Sequence, residues 1–163
     1  MNWASAITKN MISRAVKAGI DVVEIHAAHG HLTHQFSSPI SNQRNNNVRF
    51  LLEITDLVRA VIPEDMPLFV RISGTGWFDS MKDESPESWT VADLLKVGTY
   101  PSWASTFWRS APGGVHPKQS ISINRTQYQV SFALEIPKGV KGKMIVSAIR
   151  GISTATIAEV VLQ

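Results

Sequence analysis

Short apolar runs alternate along the chain with segments in which apolar residues recur at helical spacing. Three of the runs are rich in β-branched residues, and they predict buried parallel strands at residues 20–26, 67–73 and 143–148. Helices are predicted at residues 1–19, 48–62, 128–136 and 154–162, and a shorter one from residue 90. Strands and helices that alternate at these lengths indicate an α/β fold built on a parallel sheet.

Characteristic residues mark the ends of the predicted helices. Gly19 ends the first helix, and Pro63 stops the second. Thr90 and Asp93 stand three residues apart, which is the spacing of a capping box that opens a short helix. The apolar face predicted for the first helix consists of Ile7, Met11, Ala15 and Ala18.

Residues 98–112 interrupt the alternation at a place where an α/β fold should have another buried strand. The segment reads GTYPSWASTFWRSAP, contains tryptophan and proline, and shows no strand-like alternation. We therefore predict an atypical, irregular backbone there.

Composition places the chain among globular proteins and excludes several classes of function. Of its 163 residues, 44% are hydrophobic and 18% are charged, which is not the composition of a disordered chain. Lys and Arg are scattered and the formal net charge is +3, so no nucleic-acid binding is expected. The absence of cysteine excludes disulfides, thiolate metal sites and cysteine nucleophiles.

The apolar runs also bear on the location of the protein. None approaches the roughly 18 residues that a membrane span requires. The apolar residues near the start are spaced rather than consecutive, so we expect no signal peptide there. Cytoplasmic residence with no membrane association is the resulting expectation, and the sequence predicts no particular oligomeric state.

Four histidines fall within nine positions: His26, His29, His31 and His34. One interpretation is that they are polar residues at a strand end and in the following loop. Another is a metal site, because neutral imidazole is a common metal ligand. Glu24 would share a strand face with His26, but these residues supply no full coordination shell. We therefore predict no metal, and a metal-binding module stays open as an alternative.

The segment from Val22 to Arg44 carries a longer pattern. Its strand ends in a His-x-x-His pair, Gly30 follows, and residues 32–44 read Leu-x-x-Gln-Phe-x-Ser-Pro-x-Ser-Asn-x-Arg. This pattern resembles the signature of the Old Yellow Enzyme family, flavin-dependent oxidoreductases built on a β/α barrel. Residues 67–74, 88–90, 128–133 and 144–163 are similar to further family segments in the same order, whereas residues 98–112 are not.

The resemblance implies a (β/α)8 TIM barrel that is only partly present. A whole barrel of this kind takes about 250 residues, more than the 163 of this chain. The matching family segments are the central to C-terminal ones, so residues 1–163 would form a single incomplete FMN-binding domain. The family's strands with other flavin contacts, and the loop that holds the FMN phosphate, are not among the matching segments.

The resemblance also implies an activity and the residues that perform it. Family members bind FMN, take electrons from NADPH and reduce a small-molecule substrate, an α,β-unsaturated carbonyl compound. His26 and His29 match the two catalytic histidines that donate hydrogen bonds to the carbonyl oxygen, and His26 also counts among the cofactor-binding residues. Arg71 matches the arginine that meets the flavin. His29 and His31 would contact substrate, whereas His34 receives no role.

Two departures from the family pattern bear on function. His31 stands where many members have tyrosine, which changes a residue that contacts substrate. After Arg44, the family's acidic, glycine-containing loop is shortened to three asparagines. Together with the absent segments, these departures leave open a second hypothesis, in which the chain is a truncated, catalytically inactive fragment that has lost FMN binding.

A shift of reading frame offers an explanation for residues 98–112. Back-translated with suitable synonymous codons and shifted by one base, residues 99–114 can read LPKLGVDLLEVSSGG, which resembles the family strand and loop expected there. We hypothesise that the segment is an out-of-frame translation. Genomic DNA tests the hypothesis, which fails if no one-base shift at this place yields the strand.

Overall fold

The computed structural model describes residues 3–43, 46–76, 88–98, 106–111, 136, 145–148, 152 and 154–162. In chain order, its elements are α1 (Trp3–Lys17), β1 (Val23–Ala27), α2 (Leu32–Ser37), α3 (Arg49–Arg59), β2 (Leu68–Ser73), α4 (Val91–Gly98), β3 (Thr106–Ala111), β4 (Ile145–Ala148) and α5 (Ala155–Leu162). This alternation confirms the expected α/β class. Of the helix predicted at residues 128–136, only Ile136, which is helical, is described. No helix among these segments combines the length and hydropathy needed to cross a bilayer.

The four strands form one parallel sheet in the order β1-β2-β3-β4. Each strand pairs with the one that precedes it in the chain, so the sheet winds in one direction without a reversal. A doubly wound sheet reverses its strand order at a switch point, whereas a β/α barrel adds its strands consecutively. The observed order therefore indicates TIM-barrel-like winding. That these are the central to C-terminal strands of a barrel stays a prediction.

Strand β3 lies inside the segment that the sequence analysis expected to be irregular. That expectation is wrong for Thr106–Ala111, which pairs in parallel with β2 on one side and β4 on the other. A segment between two strands can satisfy its N–H and C=O groups on both sides, and threonine and aromatic residues favour extended backbone. Hydrogen bonding to both neighbouring strands therefore stabilises an extended backbone here, although apolar and polar residues do not alternate in the segment. Residues 99–105 and 112 lie outside the described residues.

Alternation along β1 and β2 divides the sheet into two faces. The residues of one face are at most 8% exposed and belong to the core that includes α3 and α4: Val23, Ile25, Ala27, Leu68, Val70 and Ile72. The opposite face carries Glu24, His26, Phe69 and Arg71, which are more exposed. We call these four residues the polar face. It holds two of the site residues predicted from the sequence.

Helix α1 ends as predicted but buries a different stripe. Gly19 has a φ of +82°, and its N–H donates to the carbonyl oxygen of Val16 at 3.0 Å, which closes the helix. Ile12 and Val16 pack against the core, whereas Met11 is 61% exposed. The expectation for Met11 is wrong because the buried stripe follows the branched side chains at i and i+4, about 100° further around the helix.

The predicted capping box at the start of α4 is confirmed. The Thr90 hydroxyl donates to Oδ2 of Asp93 at 2.7 Å, and the same oxygen accepts the Thr90 backbone N–H at 3.1 Å. Lys96 forms an ion pair with the other carboxylate oxygen of Asp93 at 2.9 Å. The helix therefore begins with its first backbone donors partly satisfied by side chains.

We expect Thr90→Ala to lower the free energy of unfolding by about 1 kcal/mol, the usual cost of losing a side-chain N-cap. Lys96→Ala is the matched control, because Lys96 contacts the same carboxylate from a side chain that is 76% exposed. Exposed pairs of this kind contribute about 0.5 kcal/mol or less. Urea titrations followed by circular dichroism measure both variants, and equal effects would contradict a stabilising cap.

Candidate active site

His26 and Arg71 lie next to each other on neighbouring strands. Their Cα atoms are partners in the parallel pairing of β1 with β2, so both side chains leave the sheet on its polar face. His26 is the fourth of the five residues of β1, close to the carboxyl end of the strand. In β/α barrels the functional groups collect at this end of the strands. The pairing therefore places an imidazole and a guanidinium side by side, and makes this part of the sheet a candidate site.

An ion pair joins Arg71 to the neighbouring strand. Its Nε lies 3.2 Å from Oε1 of Glu24, and the two side chains are 25% and 26% exposed. The contact is electrostatic, because Nε makes no hydrogen bond to a described residue. The sequence predicted the arginine but not this pair. The available signal was that Glu24 precedes His26 by two residues and therefore shares its strand face.

The imidazole rings of His26, His29 and His31 form one cluster after the end of β1. The ring centroids of His26 and His29 are 5.2 Å apart with the planes at 64°, and those of His26 and His31 are 4.7 Å apart with the planes at 89°. His26 is thus the central ring of the three, in edge-to-face contact with the other two. The structure brings these three residues together, while their roles in catalysis and substrate binding stay predictions.

The central ring, His26, is neutral at pH 7. Burial lowers its pKa below the usual value for histidine, and the nearby His31 and Arg71 lower it further. The backbone N–H of Ala28 donates to Nδ1 at 3.3 Å, which places the proton of the neutral ring on Nε2. His26 therefore presents an N–H donor at the ring nitrogen that is farther from its own backbone.

A tight turn carries the chain from β1 to α2. His29 and Gly30 both adopt left-handed backbone, with φ of +58° and +76°, and the His31 N–H donates to the Ala28 carbonyl oxygen at 3.2 Å. Left-handed backbone costs a residue with a side chain about 1–2 kcal/mol, so it persists where the surroundings hold it. This conformation sets the direction in which the His29 side chain leaves the turn.

The segment after the turn forms the short helix α2, although the sequence showed no helical periodicity there. The buried residues of α2 are Thr33, His34 and Ser37, all polar, so hydrophobic periodicity could not reveal the helix. The ring of Phe36 packs on Phe50 of α3, with centroids 4.5 Å apart. This contact joins α2 to α3 and so fixes the helix that follows the histidine turn.

His34 is buried in α2, only 1% exposed, and it contacts the turn. Its Nδ1 accepts a hydrogen bond from the Gly30 N–H at 2.9 Å. Burial lowers the pKa of His34 to about 4, and the neighbouring histidines lower it too. The ring is therefore neutral at physiological pH, with its proton on Nε2, which makes no hydrogen bond to a described residue.

The histidine cluster supplies no metal site in the part of the chain that the structure describes. No group of three or more histidine, aspartate or glutamate side chains is arranged there to hold a metal ion. In His26 and His34, moreover, the Nδ1 atom already accepts a backbone N–H. The metal-binding alternative therefore finds no ligand set among these residues.

A cavity of about 620 Å³ lies elsewhere, between α2, α3 and the loop that joins them. Phe36, Asn42 and Arg49 are among its lining residues, and none of the clustered histidines is. His26 and Arg71 lie on the polar face of the sheet instead, and the rings of His29 and His31 contact that of His26. We therefore place the candidate active site at the histidine cluster and Arg71.

Comparison with known proteins decides the family. The family model described as the NADH:flavin oxidoreductase / NADH oxidase family matches residues 9–150. The chain belongs to this family. The resemblance to Old Yellow Enzymes, drawn from the pattern in residues 22–44, is thereby confirmed.

Two family relatives show how much of a longer family member this chain spans. An NADH:flavin oxidoreductase of Gibberella zeae is 47% identical, with 92% of this chain and 40% of the relative covered. An NADPH dehydrogenase of Bacillus subtilis is 36% identical, with 95% of this chain and 45% of the relative covered. The chain therefore spans less than half the length of these relatives.

Solved structures share the fold. A complex of 2-naphthoyl-CoA reductase with 2-naphthoyl-CoA aligns with a TM-score of 0.79 and 19% identity, covering 98% of this chain and 25% of that one. Morphinone reductase in complex with tetrahydroNAD aligns with a TM-score of 0.58 and 20% identity, covering 97% and 42%. At such identities the likeness concerns the fold alone, and it agrees with the TIM-barrel-like winding of the sheet.

Part of the family signature after the histidines has a structural task in this chain. The Ser41 hydroxyl donates to the Gln35 carbonyl oxygen at 2.6 Å, and the Asn42 side-chain amide donates to the Phe36 carbonyl oxygen at 2.6 Å. Carbonyl groups at the end of a helix have no partner within the helix, so these side chains close α2. In both hydrogen bonds the donor follows the acceptor by six residues, and this shared spacing is the sequence feature that could have predicted the closure of α2.

Trp89 contacts the strand that carries Arg71. In the sequence, Trp89 lies in a segment that resembles the family, residues 88–90, and no role was predicted for it. Its indole N–H donates to the Ser73 carbonyl oxygen at 2.7 Å, and the side chain is 2% exposed. Ser73 ends β2, two residues after Arg71. The Gly76 N–H in turn donates to the Trp89 carbonyl oxygen at 2.8 Å. A buried tryptophan needs a partner for its N–H, and here that partner fixes the carboxyl end of the strand that carries Arg71.

Proposed function

We propose that this chain is an FMN-dependent oxidoreductase of the ene-reductase type, which uses NADPH to reduce small α,β-unsaturated carbonyl compounds. Membership of the NADH:flavin oxidoreductase family supports the flavin chemistry and the NAD(P)H donor. The observation that carries the proposal is the pair of rings of His26 and His29, 5.2 Å apart, with Arg71 beside His26.

Two imidazoles close together suit a carbonyl oxygen that gains negative charge during the reaction. His26 is neutral and presents its Nε2–H, which can donate to such an oxygen. Donors held in place before the charge develops stabilise it more than water does, because they need no reorganisation. A substrate oxygen bound by His26 and His29 would draw electrons from the conjugated double bond, so that the β-carbon of the substrate would accept a hydride. The resulting enolate, held by the same two donors, would then take a proton from water at its α-carbon.

Arg71 suits the cofactor side of the same site. FMN, when bound, supplies the hydride. The guanidinium of Arg71 lies on the same sheet face as His26, which fits a contact with the anionic edge of a reduced flavin. The ion pair with Glu24 engages Nε, so we assign the flavin contact to the two terminal nitrogens.

We assign His31 to substrate contact. The residue is exposed, directly precedes α2, and holds its ring perpendicular to that of His26. Where many family members carry a phenol, this chain carries an imidazole, which also offers an N–H donor. The replacement keeps the ability to hydrogen-bond and changes the shape of the side chain offered to substrate.

Retention of FMN by the full chain tests the proposal. We expect protein that is incubated with FMN and desalted to keep the visible absorbance of oxidised flavin. That absorbance should disappear with NADPH in the absence of oxygen and return when a simple cyclic enone is added. Arg71→Ala should weaken retention, while Arg49→Gln, which changes a 74% exposed arginine outside the site, should not. Desalted protein without flavin would end the claim of activity, although not that of family membership.

A second candidate is a family chain that performs no flavin chemistry. It is favoured by the coverage of 40% and 45% of the two relatives, since residues outside the matched part also contribute to whole family members. The same desalting experiment separates the candidates. Flavin that leaves the protein entirely, from a chain that is folded by circular dichroism, would support the second.

A further inference from the structure

We propose that His34 and Gln35 are positioning residues that clamp Gly30 from both sides and thereby hold the ring of His29 against that of His26. The Gly30 N–H donates to Nδ1 of His34 at 2.9 Å, and the Gln35 side-chain amide donates to the Gly30 carbonyl oxygen at 2.7 Å. Two consecutive residues of one helix therefore bind the donor and the acceptor of a single residue in the turn.

The turn needs such support because of its backbone. His29 and Gly30 are consecutive left-handed residues, and a side chain at the first of them disfavours this conformation. The hydrogen bond from the His31 N–H to the Ala28 carbonyl oxygen closes the turn but contacts neither His29 nor Gly30. The clamp on Gly30 adds the constraint that fixes the peptide groups on the C-terminal side of His29.

Helix α2 is itself held rigidly enough to act as the support. The Gln35 N–H donates to the His31 carbonyl oxygen at 3.0 Å and the Ser38 N–H to that of His34 at 2.9 Å, so both clamp residues lie in continuous helical hydrogen bonding. The contact between Phe36 and Phe50 joins the helix to α3. The clamp therefore transmits the position of α2 to the histidine turn.

The two arms of the clamp differ in burial, which predicts their relative importance. His34 is 1% exposed, so water cannot replace its bond to Gly30, whereas the Gln35 contact is exposed and competes with water. His34 also offers an acceptor at a defined place, the Nδ1 atom. The amide oxygen of asparagine occupies nearly the same place relative to the backbone, whereas leucine fills the space without an acceptor.

Three variants of the full chain test the clamp without using flavin: His34→Leu, His34→Asn and Gln35→Ala. The readouts are the hydrogen exchange of the Gly30 amide and the nuclear Overhauser effects between the rings of His26 and His29. In His34→Leu, we expect Gly30 to exchange about tenfold faster, at the upper end for one lost hydrogen bond, and the ring-to-ring effects to weaken. His34→Asn should restore both, and Gln35→Ala should show a smaller change in the same direction.

The amide of Val70, in the middle of β2, reports on the fold as a whole. If His34→Leu leaves Val70 protected and changes neither Gly30 nor the ring contacts, the clamp is wrong. It is also wrong if His34→Asn behaves like His34→Leu in a folded protein. Should His34→Leu fail to fold, Gln35→Ala decides, because its site is exposed, and unaltered exchange at Gly30 would overturn the proposal.

This inference rests on the proposed function, because the clamp matters for catalysis only if the rings of His26 and His29 bind the carbonyl oxygen. Its test is independent of that function. A chain that loses FMN on desalting can still show the clamp, and a chain that retains FMN can still lack it. The two failures are therefore distinguishable.

Discussion

Acidification from pH 6.5 to about pH 4 is expected to cost about 3 kcal/mol of folding free energy through His34 alone. The folded protein keeps this imidazole buried and neutral, with its pKa lowered from 6.5 to about 4. Between these two values the unfolded chain binds a proton at His34 and the folded chain does not. The contribution is therefore fully present above pH 6.5 and is lost as the pH falls toward 4.

Urea denaturation at about pH 7 and about pH 4.5 measures this effect, by comparing the original chain with His34→Asn. The asparagine keeps an acceptor for Gly30 but cannot titrate, so its stability should depend less on pH. Burial lowers the pKa of His26 as well, and this residue destabilises the fold in the same direction on acidification. Some dependence should thus remain in the variant. Equal loss of stability in both proteins would show that His34 is not buried as a neutral ring.

The sequence was sufficient to predict those strands whose extended backbone is favoured by their own residues. The strands β1, β2 and β4 are short β-branched runs between helices, and each is found within a few residues of its predicted position. The first residues of β1 and β2 were predicted three positions and one position too early, because composition shows where extended backbone is favourable whereas strand pairing decides where a strand begins. The ladder starts near Val23, whose N–H donates to the Pro67 carbonyl oxygen at 3.4 Å.

The α/β alternation predicted a strand near β3, but the residues of this segment do not themselves predict one, because the cause of the strand is not local. With suitable codons, a frame-shifted version of residues 99–114 can contain the run Val-Asp-Leu-Leu-Glu-Val, and the observed strand at Thr106–Ala111 lies within the same segment. The frame-shift hypothesis stays a prediction, because the residues present in the strand do not show the family pattern. The neighbouring strands β2 and β4 supply pairing groups on both sides, and this context is invisible to a reading of the segment by itself.

In the candidate site, too, some features could be predicted from the sequence and others could not. The histidines and Arg71 could be predicted as candidates because each lies in a run of consecutive residues that resembles a family segment, residues 22–44 for the histidines and residues 67–74 for Arg71. The ion pair between Glu24 and Arg71 depends on the register between two strands. The clamp on Gly30 depends on a helix that buries polar rather than apolar residues. A rule that searches for apolar periodicity would therefore miss both contacts.

Replacing His26 by alanine is expected to lower the rate of hydride transfer to an enone by about 10²–10³, the usual loss when one donor to a developing oxyanion is removed. The measurement is the reoxidation of reduced, FMN-loaded protein on mixing with a cyclic enone in the absence of oxygen. The reason for a large effect is that Nε2 of His26 carries the proton of a neutral ring, and alanine leaves no donor in its place. Glu53→Gln, at a 59% exposed position on α3, is the control and should keep the original rate.

Dioxygen provides a second control on the same preparations, because its reaction with reduced flavin needs no polarised carbonyl group. In His26→Ala, reoxidation by oxygen should therefore stay within about threefold of the original rate, while reoxidation by the enone falls. A loss of both rates together would indicate that His26 holds the cofactor rather than the carbonyl oxygen. An unaltered enone rate would remove His26 from catalysis, and with it the main physical basis for assigning the carbonyl oxygen to the pair of rings at the end of β1.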